Sequence, residues 1–359
     1  MTELQEAGRR TRPALSRVTG RWMIAALLLI ATVASLRVGS AFLIPIVIAG
    51  MLSLLLAPPL RWLMRRGIGP PIAAAILVLM LVGATFGGVA LLVRPATEWI
   101  SRAPATIAEV DRKVRRLMRP LGRLQETAKK VDEVTGNGAG APAPTAAAPA
   151  GIFQRLSMGT AGFLGASLTV VFLSYFLLAM GKRFEAKLEE LLPERVRRQA
   201  IDGLREMETQ MSGYLWQTTL INIGVGMVTW GVLALLGMPS PLFWGVVCAV
   251  LNYIPYLGGV VSFVLLAMAA LVSFDTTQRP LMVMGAFLVI NTIEANLVVP
   301  MLLGKRLPLN PVAIFLGLLF WGWIWGITGA ILAVPLTVMI KVVADRVKPM
   351  RPLGVMLDN

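Results

Sequence analysis

The chain has 359 residues, of which 56% are hydrophobic, and a mean hydropathy of +0.73; soluble domains sit near 45–50 % apolar. The excess falls in runs near the ~20 residues that a bilayer-crossing helix needs, without the short alternating segments of a β-barrel. A formal charge of +15, a single cysteine and no histidine exclude a disulfide framework, a cysteine metal cluster, an HExxH zinc site and any histidine triad or proton relay.

The predicted fold is therefore all-α: a polytopic membrane protein with about eight transmembrane helices. The positive charge fits loops on the cytoplasmic side of a membrane protein. No basic module interleaved with aromatics points to nucleic acid. No P-loop or intramembrane aspartyl pair is present, so no enzyme, cofactor or metal site is expected.

Residues 1–21 form a basic tail with Arg9, Arg10, Arg12, Arg17 and Arg21. Apolar runs at 22–36 and 41–57 follow closely on each other, which favours a retained helical hairpin over a cleaved signal peptide. Arg61, Arg65 and Arg66 place its return in the cytoplasm. A third span covers 72–93, where Gly83 and Gly87 are set for close helix contact. These spans make an N-terminal transmembrane unit, 22–94.

Residues 95–155 are not apolar enough to span. Ile107, Val110, Val114, Leu117, Leu121, Leu124, Ala128 and Val131 recur at alternating steps of three and four. That is a heptad seam or the apolar face of an amphipathic helix, which predicts a homo-oligomer. Pro120 should kink or split it. The Gly- and Pro-rich stretch 135–151 is a low-complexity linker.

A further span occupies 156–180. Lys182, Arg183, Lys187, Arg195, Arg197 and Arg198 make 181–212 cytoplasmic. Its amphipathic stripe is Val196, Ala200, Leu204, Met207 and Met211. The C-terminal transmembrane core, 213–345, holds spans near 213–237, 242–273, 281–303 and 309–341. Residues 242–273 and 309–341 exceed the length of a straight span, so each must tilt or break. Broken or re-entrant segments are predicted near 252–259 and 300–310. Lys341, Arg346, Lys348 and Arg351 favour a cytoplasmic tail at 346–359. Both termini are then cytoplasmic, and 95–155 lies outside, as long basic loops can.

Glu294 carries the sharpest chemical signal. A carboxylate at mid-helix in lipid costs about 2.5–3.5 kcal/mol on insertion scales and therefore faces a bundle interior or a wet cavity. Such residues serve ion, proton or substrate paths; the alternative is a structural ion pair or helix–helix hydrogen bond. Asn291 shares its helical face and Asn296 lies on another. Pro300 and Gly304 offer local unwinding, which exposes backbone groups to ions and substrates.

In "LNYIPYLGG" (251–259), Asn252, Tyr253 and Tyr256 bring hydrogen-bonding groups. Pro255 cannot donate to a helix ladder, and Gly258 and Gly259 permit positive φ. An ordinary helix–helix turn is equally compatible. Gln210, Tyr214 and Gln217 share a stripe, with Asn222 deeper; bonding between helices explains these as well. Gly322, Gly326 and Gly329 share a face suited to close packing.

The segments "LNYIPYLGG", "EANLVVPMLLGKRLPLNP" and "GITGAILAVPLTVMIKVV" together resemble the C-terminal half of the autoinducer-2 exporter family of bacterial inner-membrane permeases. The resemblance rests on an Asn-aromatic-aliphatic-Pro-aromatic-aliphatic-Gly element at Asn252 to Gly258, Glu-x-Asn-x(3)-Pro-x(3)-Gly at Glu294 to Gly304, and a Gly-rich element from Gly326 to Pro335. Ala295 stands where the family usually has Gly, and Gly259 where Pro is common. The resemblance implies export of a small, very polar signalling molecule of quorum sensing, coupled to a proton or Na⁺ gradient. It also implies contact with membrane lipids and a homo-oligomer. Some relatives behave as Na⁺(Li⁺)/H⁺ antiporters. A non-transporting membrane scaffold is the rival from another class. The expected path residues are Glu294, Asn291, Asn296, Asn252, Tyr256 and Gln217. The expected helix breaks are Pro255, Gly258, Gly259, Pro300 and Gly304.

Overall fold

The computed structural model describes residues 15–132, 160–303, 309–346 and 351–357. Among them every regular element is helical. In chain order these are α1 (Leu15–Val38), α2 (Ser40–Arg65), α3 (Pro70–Asp132), α4 (Thr160–Leu191), α5 (Glu194–Leu235), α6 (Pro241–Leu251), α7 (Leu257–Ser273) and α8 (Gln278–Ile293). A π-helical turn (Glu294–Val298) leads into α9 (Val299–Leu303), followed by α10 (Pro311–Arg346) and α11 (Arg351–Leu357). Five stretches are long and apolar enough to cross a membrane: Ser40–Arg65, Pro70–Ser101, Ala200–Leu235, Gln278–Leu302 and Pro311–Asp345. A sixth results if the bent α4 is one span, and Ala26–Val38, Pro241–Leu251 and Leu257–Ser273 are shorter apolar helices.

Two local expectations are corrected. First, α3 is not split at Pro120; the helix runs on to Asp132. The side chains of the 107–131 seam, and the 135–151 stretch, lie outside the described residues. Second, Gly83 and Gly87 make no close helix contact, since a Cβ at either would meet nothing within 4 Å. The reason is that this face of α3 is exposed, with Phe86, Val89 and Leu91 also exposed nearby; the packed face nearer its start is Ala73, Ala74, Leu77 and Val78 against Leu60 of α2 and Leu178 of α4. The stripe after Pro193 continues into the next span as the single helix α5. Met211 is buried on that stripe, whereas Leu204 is exposed.

One end of the bundle, the charged end, carries the ion pairs found among the described residues. Arg61 of α2 meets Glu208 of α5 at 3.4 Å. Arg205 of α5 pairs with Glu185 and Glu189 of α4, and the Arg66 guanidinium lies over the Trp62 ring. At the opposite end, Trp99 of α3 packs edge-on against Trp244 of α6, with ring centroids 5.1 Å apart.

Both over-long apolar runs turn back on themselves. The helices α6 and α7 pack together across a tight turn, with the Ser262 hydroxyl against the Cys248 thiol. Their base sits at the tryptophan end, in a cluster of Leu233, Met238, Trp244, Leu266, Phe274 and Val283. In α10 the break is at Gly326, with φ 62 and ψ -140. A Cβ on Gly317 would strike the Thr337 hydroxyl and one on Gly329 the Trp321 carbonyl. Contacts that pair residues symmetrically about Gly326 define an antiparallel hairpin. Gly329 thus packs closely as expected, Gly322 has only ordinary contact with Ala330, and Gly326 makes the turn. This hairpin stands on the charged end, where Leu309, Ala313, Val338 and Val342 pack on Met211. Its tip reaches α1, where the Trp325 indole donates to the Leu36 carbonyl at 2.9 Å. The two hairpins therefore enter the bundle from opposite ends.

Candidate functional site

The site forms where the tip of the α6–α7 hairpin meets α5 and the end of α8. After Leu251 the helix cannot continue, because Pro255 has no N–H and its ring disfavours helical backbone before it. The chain closes through Ile254 N–H to the Leu251 carbonyl (2.9 Å) and Gly258 N–H to the Ile254 carbonyl (2.8 Å). Between them, Leu257 N–H donates to the Pro255 carbonyl at 2.6 Å, and Tyr256 has φ 61 and ψ -48. This is a γ-turn with positive φ at its centre, a rare and strained form. The left-handed residue is thus Tyr256, not Gly258 or Gly259 as expected from the sequence. The glycines act through close approach instead: a Cβ at Gly258 would collide with the Leu251 carbonyl, and one at Gly259 would sit 2.8 Å from Asn291 Oδ1.

The turn presents Asn252 and Tyr253 to α5. The Asn252 amide nitrogen donates to Asn222 Oδ1 at 2.9 Å and to Glu294 Oε1 at 2.8 Å. The Tyr253 hydroxyl donates to Thr219 Oγ1 at 2.9 Å. Thr219 and Asn222 are three apart and share a face of α5. One amide thus ties the hairpin tip, α5 and the carboxylate together.

Glu294 opens the π-helical turn, and the Val299 N–H reaches back five residues to its carbonyl. The cause is Pro300. In an α-helix its ring would clash with the Asn296 carbonyl; a wider turn just before it removes the clash. Single π turns inside α-helices often mark functional sites. Among the described residues the interruption is a widening ahead of Pro300, after which helix resumes to Leu303. Gly304, Lys305 and Arg306 lie outside the described residues.

Not every expected site residue joins the cluster. Asn296 is exposed, and its amide donates to the Thr292 carbonyl one turn back. Tyr256 is 58% exposed. Asn291 rests against Gly259. Gln217 lies on α5 with its side-chain oxygen buried and unpartnered. Asn222, 2% exposed, and Thr219 are not among the expected path residues; the available signal was their three-residue spacing, which gives them one helical face. Among the described residues no three His, Cys, Asp or Glu side chains gather as a metal site would require.

Comparison with known proteins gives the assignment. A model of the AI-2E family transporter matches residues 24–348. The chain belongs to the AI-2E transporter family. Two members from Escherichia coli (strain K12) align along nearly all of it. One is YhhT, whose name assigns it provisionally to transport, 28% identical over 331 residues, covering 92% of this chain and 91% of that protein. The other is the AI-2 transport protein TqsA, 25% identical over 336 residues, covering 92% of this chain and 94% of that protein. This family member is a multi-pass membrane transporter, in contact with lipid and with a transported solute. The matched stretch contains the whole Glu294–Asn252–Asn222 cluster.

Proposed function

We propose that the protein is a secondary transporter that exports a small polar solute of the autoinducer-2 kind across the bacterial inner membrane, coupled to a proton or cation gradient. The observation that carries this reading is the hydrogen-bonded chain from Glu294 through Asn252 to Asn222. It joins a carboxylate on a widened helix to the tip of a hairpin that ends inside the bundle. Polar and ionisable groups at such depth are expensive and typically mark substrate or ion paths, and interrupted helices supply them. The family relative named for AI-2 transport supports the choice of solute. The Lys and Arg residues that follow α2 and α4, among them Arg65, Arg66, Lys182 and Arg183, support a cytoplasmic side for that end and for both termini. Cysteine labelling of the 135–151 stretch from outside intact cells should then succeed; labelling only after permeabilisation overturns that topology.

The central test is autoinducer-2 flux in proteoliposomes under imposed pH or Na⁺ gradients. Glu294→Gln keeps size and most hydrogen bonding. Its transport should fall at least about tenfold, the scale of one strong hydrogen bond to a charged group, and lose its pH dependence. Wild-type flux in this variant between pH 6 and 9 makes Glu294 structural. Cation–proton exchange without solute flux assigns the protein to antiport, and flux of neither assigns it to a scaffold.

A further inference from the structure

Resting on the transport reading, we propose that Asn222 is a solute-binding residue whose amide nitrogen donates to an oxygen of the solute held beside Glu294. Asn222 is 2% exposed. Its Oδ1 accepts from Asn252, while its Nδ2 is buried with no partner. Buried donors almost always have partners, and an exception asks for a cause such as a missing bound molecule.

The orientation of the amide follows from its neighbours. The Asn252 group facing Glu294 Oε1 at 2.8 Å is the nitrogen, donating to an acceptor oxygen of the side chain. That same nitrogen faces Asn222 at 2.9 Å, so the Asn222 atom opposite must be the oxygen. Turning the Asn222 amide over would set donor against donor. The polarity of the chain is thereby fixed from the carboxylate outward, and it leaves the Asn222 N–H groups beside the site.

A bare cation has no use for an N–H. It would take the oxygens of Glu294 and the two asparagines and be repelled by the Asn222 donor. A hydroxyl or carbonyl oxygen accepts from that donor, while a neighbouring hydroxyl on the same solute donates to Glu294. Asn222 therefore favours an oxygenated solute over an ion at the same carboxylate. If Asn222 served only to tie α5 to the hairpin, its oxygen alone would suffice.

The test uses full-length protein in proteoliposomes with autoinducer-2 as the probe, comparing wild type, Asn222→Asp and Asn222→Ala. The Asp variant keeps the oxygen that accepts from Asn252 and replaces the donor by an acceptor. The Ala variant removes both without adding charge and tests the fold independently, with the thermal midpoint in detergent as the check. Both should raise KM for autoinducer-2 about tenfold, the scale of one lost hydrogen bond, with the maximal rate within about twofold. An unchanged KM in folded Asn222→Ala, or a lower maximal rate at unchanged KM, overturns the assignment while leaving the Glu294 reading intact. A wild type that moves no autoinducer-2 under either gradient overturns both.

Discussion

The two hairpins of the C-terminal half share a backbone plan and differ in chemistry. Each replaces an apolar run too long for one straight span, and each turns on a residue with positive φ, Tyr256 at 61 in one and Gly326 at 62 in the other. The helices flanking the Gly326 turn pack through Leu318, Trp321, Ile324, Trp325 and Leu332, Gly326 itself is exposed, and one indole hydrogen bond holds this end to α1. The Tyr256 tip presents Asn252 and Tyr253 to polar partners on α5 and at the π-helical turn. A glycine turn in an apolar setting relaxes into its conformation. A tyrosine in that conformation is held there by its surroundings, and such strain collects at working sites. The backbone break is thus common to both hairpins, and the polar partners single out one of them for chemistry.

The largest test of this contrast is Gly258→Val. Its side chain would meet the Leu251 backbone carbonyl, which cannot swing aside as a side-chain end can. The cost should be about 3 kcal/mol or more, at the upper end for overpacking, seen as a lower thermal midpoint in detergent together with loss of transport. A wild-type midpoint would mean that the tip adopts another turn. Gly326→Ala probes the other tip. An L-residue at φ 62 and ψ -140 costs about 1–3 kcal/mol, so the midpoint should fall while the KM for solute stays as in wild type. A changed KM there would erase the distinction between the hairpins. The smallest effect is of opposite sign. Tyr256→Gly relieves strain of about 1–3 kcal/mol and adds roughly 0.5–1 kcal/mol of backbone entropy cost. The midpoint should rise by the equivalent of about 1 kcal/mol. A lower midpoint would show that the exposed tyrosine ring, and not the surrounding turn, holds the tip.

Much of this arrangement is already legible in the sequence. Apolar runs of bilayer length set an all-helical membrane fold, because lipid leaves backbone groups no partner but their own helix. Pro255 and Pro300 mark both interruptions near the site, since a missing N–H and a clashing ring act locally. Glu294 stands out because a carboxylate in an apolar helix demands compensation wherever that helix packs.

Only the tertiary structure decides what compensates it. Asn296 is close to Glu294 in sequence and turns away to its own helix, whereas Asn222 and Asn252 come from two other elements. Helical periodicity orders side chains around one axis and carries no information on which neighbouring helix faces them. The same limit explains the glycines. Gly83 and Gly87 have the spacing of a contact face and touch nothing, while Gly326 has the spacing of a packing face and makes a turn. Composition and local sterics fix where the chain is helical and where it breaks. Which polar groups meet at the break depends on packing between helices distant in sequence.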